Sequence, residues 1–182
     1  MKTPLYITGN AKKAELLNKY LEQPLEHQAL EIEEIQSLDV KTVVRHKMRS
    51  AYAQVGVPVL VEDTSLEFCA MGRLPGTYIK WFIEELTHED MCRLLDGKDR
   101  SAIARTIFGY YDGKEESYFA SMMRGTIAEH PRGEGGFGTK GWDIIFIPLG
   151  YTQTRAEMNE IDFKTTYLTH KPIKQVGEFL ME

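Results

Sequence analysis

The chain begins with a pattern that is typical of a strand followed by a helix. An apolar run, Leu5 to Ile7, leads into a polar turn, Thr8 to Asn10, after which apolar residues recur at helical spacing. Such a turn places backbone N–H groups and the positive end of a helix beside a ligand, and Lys12 and Lys13 add full charge. The pattern therefore indicates either a phosphate-binding turn or an ordinary strand-to-helix turn with Asn10 as its N-cap.

The next segment predicts a half-buried strand and then a second helix. Leu30 and Ile32 alternate with glutamates, which is the pattern of such a strand. Apolar residues at helical spacing follow Asp39, the expected N-cap. Lys47 interrupts this apolar stripe. A lysine in that position extends to solvent more often than it points into a cleft, so we expect Lys47 to be solvated, with the cleft as the alternative.

A continuous apolar run, Val59 to Val61, predicts a strand that is buried on both faces and ends at two carboxylates, Glu62 and Asp63. Carboxylates are rarely buried without a partner, so nearby donors satisfy this pair or the pair holds a cation. Magnesium binds one or two carboxylates and keeps its other positions for water and phosphate. Solvated acids at a strand end are the simpler alternative.

The middle of the chain is predicted to contain two short helices and a long hairpin. Apolar spacing predicts a helix from Tyr78 to Leu86, and Thr87 is the expected cap of the next helix. Two strand-like segments, Ser101 to Tyr111 and Glu116 to Ile127, flank Asp112-Gly113, which favours a tight turn. These segments are therefore expected to pair as antiparallel strands.

The most glycine-rich segment, residues 131–141, precedes a predicted strand from Ile144 to Ile147. Its glycines match the spacing of a dinucleotide-binding loop. Such a loop leads into a helix, whereas this segment leads into a predicted strand, so we exclude that assignment. Phe137 and Trp142 either stack on a base or belong to the core.

The C-terminal part of the chain is predicted to contain two helices. The first runs from Arg155 to Ile161, and the second runs from Pro172 to Leu180, with the proline in its first turn. The histidines of the chain show no zinc-ligand spacing to one another, so a zinc site is not expected.

Composition narrows the class of protein. The 182 residues, 42% hydrophobic and 27% charged, suit a single domain with a real core. The net charge of -5 argues against a nucleic-acid-binding surface, which needs a basic excess. We expect no membrane span and no signal peptide, because no apolar stretch is long enough. Cys69 and Cys92 are expected to be reduced thiols of a cytoplasmic protein.

Five motifs stand in an order that resembles one family. They are TGNAKK at Thr8 to Lys13, EDTSL at Glu62 to Leu66, LPGTYIKWF at Leu74 to Phe82, GWDIIF at Gly141 to Phe146, and AEM at Ala156 to Met158. The chain resembles the inosine triphosphate pyrophosphatases, the Ham1 or RdgB-like enzymes, over nearly its whole length.

The resemblance implies a mixed α/β fold, in which a long twisted sheet floors a cleft between the two lobes of a single domain, residues 1–182. It implies a nucleoside triphosphate diphosphatase that hydrolyses inosine, deoxyinosine and xanthosine triphosphates to the monophosphate and pyrophosphate. It also implies a homodimer and a magnesium cofactor, with manganese as a possible substitute.

The resemblance also implies roles for individual residues. Glu34, Glu62 and Asp63 are the predicted metal ligands, and Asp63 is the candidate catalytic base. The predicted substrate-binding residues are Thr8, Gly9, Asn10, Lys12, Lys13, Lys47, Thr64, Lys80, Phe137, Trp142, Asp143, Lys164, His170 and Lys171. The last three belong to a tail that is expected to read the base.

The sequence departs from the family pattern near the expected base site. Thr139 and Lys140 are inserted in the loop that normally reads Phe-Gly-Trp/Tyr-Asp-Pro, so either Phe137 or Lys140 takes the stacking position. Ile144 replaces the proline, and Lys171 replaces an arginine whose planar fork lysine lacks. Two alternatives therefore stay open: a Maf-like pyrophosphatase acting on pyrimidine or modified nucleotides, and a nucleotide-binding regulator with weak turnover.

Overall fold

The computed structural model describes residues 2–137 and 140–182. Helices and strands are mixed along the chain in an α/β fold, as the resemblance implied. In chain order they are β1 (Leu5–Ile7), α1 (Ala11–Tyr20), β2 (His27–Gln28), α2 (Val40–Val55), β3 (Val59–Phe68), β4 (Pro75–Gly76), α3 (Ile79–Glu85), α4 (His88–Arg93), β5 (Ser101–Tyr111), β6 (Glu116–Ile127), β7 (Phe146–Pro148), α5 (Glu160–His170) and α6 (Ile173–Met181).

Within the described residues, the strands form one mixed sheet of seven, in the order β2-β1-β3-β5-β6-β7, with β4 paired to β3. β1 is parallel to both of its neighbours, and its register places Leu5 opposite Val59 and Ile7 opposite Val61. β4 is antiparallel to β3, and β7 is antiparallel to β6. A mixed sheet of this kind confirms the expected fold.

Packing divides the chain into two compact units. Unit 1 contains residues 2–63, 106–121 and 171–182, and unit 2 contains Thr64–Arg105 and Met122–His170. Ile7, Met48 and Val61 belong to the apolar core of unit 1. Phe68 and Phe146 belong to the core of unit 2. That the units are the two lobes of a single domain stays a prediction.

Local signals placed several helices and the hairpin correctly. The side chain of Asn10 caps α1 by accepting from Lys13 N, and Asp39 caps α2 in the same way from Thr42 N. The helix α2 ends at Gly56, whose φ of 68° is a left-handed conformation that favours glycine. The bounds of β5 and β6 are those predicted.

Two predicted strands have different bounds in the structure. β3 does not end at Glu62 and Asp63 but continues to Phe68, because its second half pairs with β4. The predicted strand at Leu30 and Ile32 is wrong, since the segment that pairs with β1 is His27–Gln28. In this pairing Tyr6 lies opposite His27 and Ile7, the last residue of β1, lies opposite Gln28.

The predictions for residues 144–170 also need correction. β7 begins at Phe146 instead of Ile144, because the N–H groups of Ile145 and Phe146 donate to Trp142 O within a turn. The helix predicted from Arg155 to Ile161 is a 3-10 turn over Arg155–Glu157, followed by the separate helix α5.

No helix in the described part of the chain has both the length and the apolar character needed to cross a membrane. Cys69 is exposed and Cys92 is buried, and both are free thiols.

Candidate active site

A buried glutamate of β3 holds two lysines in unit 1. The Glu62 side chain is only 3% exposed, and its Oε1 lies 2.8 Å from Lys13 Nζ and 3.1 Å from Lys171 Nζ. Burial alone would disfavour the charged form, but the two lysines outweigh it and lower the pKa of Glu62 to about 2. Glu62 is therefore ionised at neutral pH and orients two ammonium groups.

The neighbouring carboxylate, Asp63, behaves in the opposite way. It is half-buried, and burial raises its pKa to about 6. Lys47 and Lys13 oppose that rise, whereas the negative charges of Glu34 and Glu62 add to it. A carboxylate with a pKa close to neutral is suited to accept a proton from a nucleophile.

Lys47 does not extend to solvent as its position in the α2 stripe suggested. Its Nζ donates to the backbone oxygen of Glu62 at 3.4 Å, and the residue is half-buried. Core packing of Val44 and Met48 with Val61 explains this, because Lys47 occupies the same helix between them. The prediction of a solvated lysine is therefore wrong, and the alternative of an inward lysine holds.

The turn between β1 and α1 stays open to solvent at its tip. Thr8 is buried and its Oγ1 accepts from Asn10 N at 3.1 Å, while Gly9 and Asn10 are exposed. Lys13 extends from the first turn of α1 to Glu62; burial acts to lower its pKa, but Glu62 and then Asp63 raise it. Lys12 is exposed and forms a surface ion pair with Glu15. Lys13, not Lys12, thus carries its charge to the carboxylates.

The three predicted metal ligands, Glu34, Glu62 and Asp63, all belong to unit 1. Among residues 2–137 and 140–182, no group of three or more His, Cys, Asp or Glu side chains could hold a metal. Glu62 already accepts from two lysines, which leaves Glu34 and Asp63. The exposed Glu34 is close enough to raise the pKa of Asp63 further after burial, and a divalent cation would offset this repulsion.

A second cluster of predicted site residues lies in unit 2. Asp143 is buried, and its Oδ2 accepts from the backbone N of Phe137 at 2.9 Å. The Trp142 ring packs edge-on against the His170 ring at 5.3 Å and against Phe146 at 5.2 Å. The aromatic residues predicted to bind a base are therefore joined to Asp143 in one unit. Substrate contact by any of them stays a prediction.

The tail that was expected to read the base is divided between the two units. His170 lies in unit 2 beside Trp142, but Lys171 belongs to unit 1 and pairs with Glu62. The ammonium group of Lys171 thus donates to the buried carboxylate, and its role as a base-reading residue stays a prediction.

The remaining predicted residues have less definite surroundings. Thr64 is half-buried, while Lys80 and Lys164 are exposed, and Lys80 Nζ lies 5.4 Å from the Trp81 ring. Lys140 is exposed, and Thr139, the other inserted residue, lies outside the described residues. The choice between Phe137 and Lys140 as the stacking residue thus stays open.

Sequence reasoning missed Arg155. Its side chain is 1% exposed and its Nη1 lies 3.2 Å from Asp143 Oδ1. The signal was Thr154-Arg-Ala-Glu157, a capping-box spacing that the structure realises in a 3-10 turn. That spacing marks a fixed turn, although it does not show that the arginine inside it is buried.

Comparisons with known proteins agree with this architecture. Residues 5–170 match the model of the Ham1 family. The protein named inosine triphosphate pyrophosphatase in Yarrowia lipolytica is 39% identical over 98% of this chain and 95% of its own. The protein of the same name in Batrachochytrium dendrobatidis is 40% identical over 98% of this chain and 94% of its own.

Solved structures show the same fold. A HAM1 protein from Coxiella burnetii matches with a TM-score of 0.83 at 22% identity, covering 100% of this chain and 99% of that chain. The Ham1 protein of Staphylococcus aureus matches with a TM-score of 0.79 at 21% identity, covering 98% of both chains.

Proposed function

Because the chain belongs to the Ham1 family, we propose that it hydrolyses inosine, deoxyinosine and xanthosine triphosphates to the monophosphate and pyrophosphate, and so removes non-standard purine nucleotides. The names of its relatives support this substrate class. The observation that carries the proposal is the pair of neighbouring carboxylates on β3, where Glu62 Oε1 lies 2.8 Å from Lys13 Nζ and 3.1 Å from Lys171 Nζ.

The charged groups of unit 1 suit attack of water on the α-phosphorus. Lys13, Lys47 and Lys171 provide ammonium groups around the β3 carboxylates, and these would neutralise the phosphate oxygens and the leaving pyrophosphate. Asp63 would accept the proton of the attacking water as the new P–O bond forms and the bond to pyrophosphate breaks. The exposed turn of Thr8, Gly9, Asn10 and Lys12 would contribute further phosphate donors.

We assign a magnesium ion to Glu34 and Asp63, with manganese as a possible substitute. The bound ion would neutralise charge on the phosphate oxygens. Lys13 and Lys171 engage the Oε1 atom of Glu62, so Glu62 orients these lysines in this scheme and is not required as a ligand.

The residues of unit 2 would read the base. Phe137 and Trp142 offer aromatic faces, and His170 offers a ring nitrogen; Thr64, Lys80, Asp143 and Lys164 complete the predicted set. A hydrogen-bond donor of the protein that faces position 6 of the purine pairs with a keto oxygen there. Adenine carries an amino group at the same position, so two donors would face each other. A site that reads such a group discriminates by roughly 10⁴-fold or more.

The decisive experiment is to measure pyrophosphate and orthophosphate separately during turnover of inosine triphosphate with magnesium. We expect pyrophosphate and the monophosphate as the products. Asp63→Asn should lower kcat by about 10²- to 10⁴-fold, because a positioned general base is lost, while its circular dichroism and Tm stay those of the wild type. Wild-type kcat in that variant would refute the role of Asp63.

An altered base preference is the second candidate, and the position of Lys171 favours it. Its ammonium group is held by Glu62, so the tail offers one fewer donor to a base. A panel of purine, pyrimidine and modified triphosphates would distinguish the candidates, and absence of turnover across the panel would favour a nucleotide-binding regulator.

We also propose that the protein acts in the cytoplasm as a homodimer. The two free thiols, Cys69 and Cys92, are in keeping with a reducing compartment. Light scattering of the purified chain would test the dimer, and cell fractionation would test the compartment.

A further inference from the structure

Arg155 is a buried charge with an unusual environment. Its guanidinium carbon lies 5.5 Å from the centre of the Trp142 ring and 5.0 Å from that of Phe163, and Nη1 pairs with Asp143. Within the described part of the chain, its buried Nε and Nη2 atoms have no hydrogen-bond partner. Because a buried charge must gain from pairing or packing, this arginine indicates a role beyond filling the core.

The turn that carries Arg155 holds the glycine-rich loop at several points. Ala156 N donates to Asp143 O at 3.1 Å, and Gly135 N donates to Ala156 O at 2.9 Å. At the start of the loop, Thr154 Oγ1 donates to Arg132 O at 2.8 Å. A Cβ atom on Gly135 would lie 2.8 Å from Ala156 O, so the two backbones approach as closely as glycine permits.

Asp143 connects the turn that carries Arg155 to the aromatic residues of the loop. One carboxylate oxygen pairs with Arg155 and the other accepts from Phe137 N, so the side chain joins the turn to the loop. Trp142 precedes Asp143 directly and packs against the guanidinium. A continuous path of contacts therefore runs from Arg155 to both aromatic residues that are predicted to bind the base.

We propose that Arg155 is a positioning residue that sets base selectivity by fixing Asp143, and through it the placement of Phe137 and Trp142. This inference rests on the proposed function for its substrate. The contacts lead to the predicted base-binding residues and not to Asp63, so selectivity should change more than the rate of the chemical step.

Three variants separate these effects. Arg155→Met removes the charge and the fork, Arg155→Lys keeps the charge, and Arg155→Met/Asp143→Asn removes both charges if the single change prevents folding. Arg93→Met is the control, because Arg93 is an exposed arginine of the same unit whose ion pairs are longer, at 3.6 and 3.7 Å. Circular dichroism and Tm establish that each variant is folded.

The kinetic readout is kcat and KM for inosine triphosphate and adenosine triphosphate with magnesium. In Arg155→Met we expect KM for inosine triphosphate to rise by about tenfold with kcat nearly retained, as when binding shared by ground and transition state is lost. The ratio of kcat/KM for inosine triphosphate to kcat/KM for adenosine triphosphate should fall by a similar factor. Arg155→Lys should recover part of the lost selectivity, and Arg93→Met should match the wild type. An unchanged ratio in a folded Arg155→Met or double variant overturns the inference.

A second readout does not depend on turnover. Tryptic cleavage after the exposed Lys140, located by mass spectrometry, reports how firmly the loop is held. Cleavage should accelerate in the folded Arg155→Met variant but not in Arg93→Met. If the wild type releases no pyrophosphate, the proposed function fails, whereas unchanged cleavage after Lys140 shows that Arg155 does not position the loop.

Discussion

Replacing Glu62 with glutamine should destabilise the protein strongly at neutral pH. The two lysines lower the pKa of this buried carboxyl from 4.5 to about 2 against the opposing effect of burial. A pKa difference of roughly 2.5, at about 1.4 kcal/mol for each pH unit, corresponds to about 3–4 kcal/mol of folding free energy. Removal of one member of a buried ion pair typically costs about 3–5 kcal/mol, which agrees in magnitude.

The sign of the pH dependence follows from the lowered pKa. Ionised Glu62 contributes its full stabilisation above pH 4.5, and that contribution is lost as the pH falls from 4.5 towards about 2. Urea unfolding in the presence of a chelator, at pH 7 and at pH 3, should therefore show a large difference between wild type and Glu62→Gln at pH 7 and a smaller one at pH 3.

Glu15→Gln is the matched control. Glu15 also pairs with a lysine, Lys12 at 3.3 Å, but both side chains are exposed. Exposed pairs contribute about 0–1 kcal/mol. If Glu62→Gln cost no more than Glu15→Gln at pH 7, or cost the same at both pH values, the argument from burial and paired lysines would be refuted.

Two further predictions concern other side chains. Lys47→Met should raise the pKa of Asp63 above about 6, because Lys47 opposes the effect of burial on that carboxylate. The acid limb of the pH profile of kcat/KM should then move to higher pH. The control variant Lys41→Met, on the exposed face of α2, should leave that profile unchanged. In the native protein at pH 8, iodoacetamide should alkylate the exposed Cys69 well before Cys92, whose pKa burial raises to about 11. Peptide mass spectrometry would detect both products, and equal rates would contradict the burial of Cys92.

Much of the secondary structure was predictable because its causes are local. The Asp112-Gly113 turn and the alternation on either side of it gave the bounds of β5 and β6. Asn10 and Asp39 marked helix starts because a capping side chain bonds only a few residues ahead. Family resemblance added what local patterns lack, namely the prediction that Glu34 and Asp63 belong to one site.

The errors have long-range causes. β3 was expected to end at its carboxylates, because a charged residue inside a buried strand needs a partner that the local sequence does not show. Glu62 finds that partner in Lys171, 109 residues along the chain. Arg155 was missed for the same reason, since its burial depends on Asp143 and on the rings of Trp142 and Phe163.

The two adjacent carboxylates of β3 suit different roles in the proposed reaction. Successive side chains of a strand point to opposite faces, so Glu62 and Asp63 meet different surroundings. Lysines overcome burial and keep Glu62 ionised, whereas burial dominates at Asp63 and brings its pKa close to neutral. Two neighbouring carboxyl groups with very different pKa values can serve different chemical roles, one as a fixed charge and the other in proton transfer. Glu62 is thus suited to hold Lys13 and Lys171 for a polyphosphate, and Asp63 to take a proton from water.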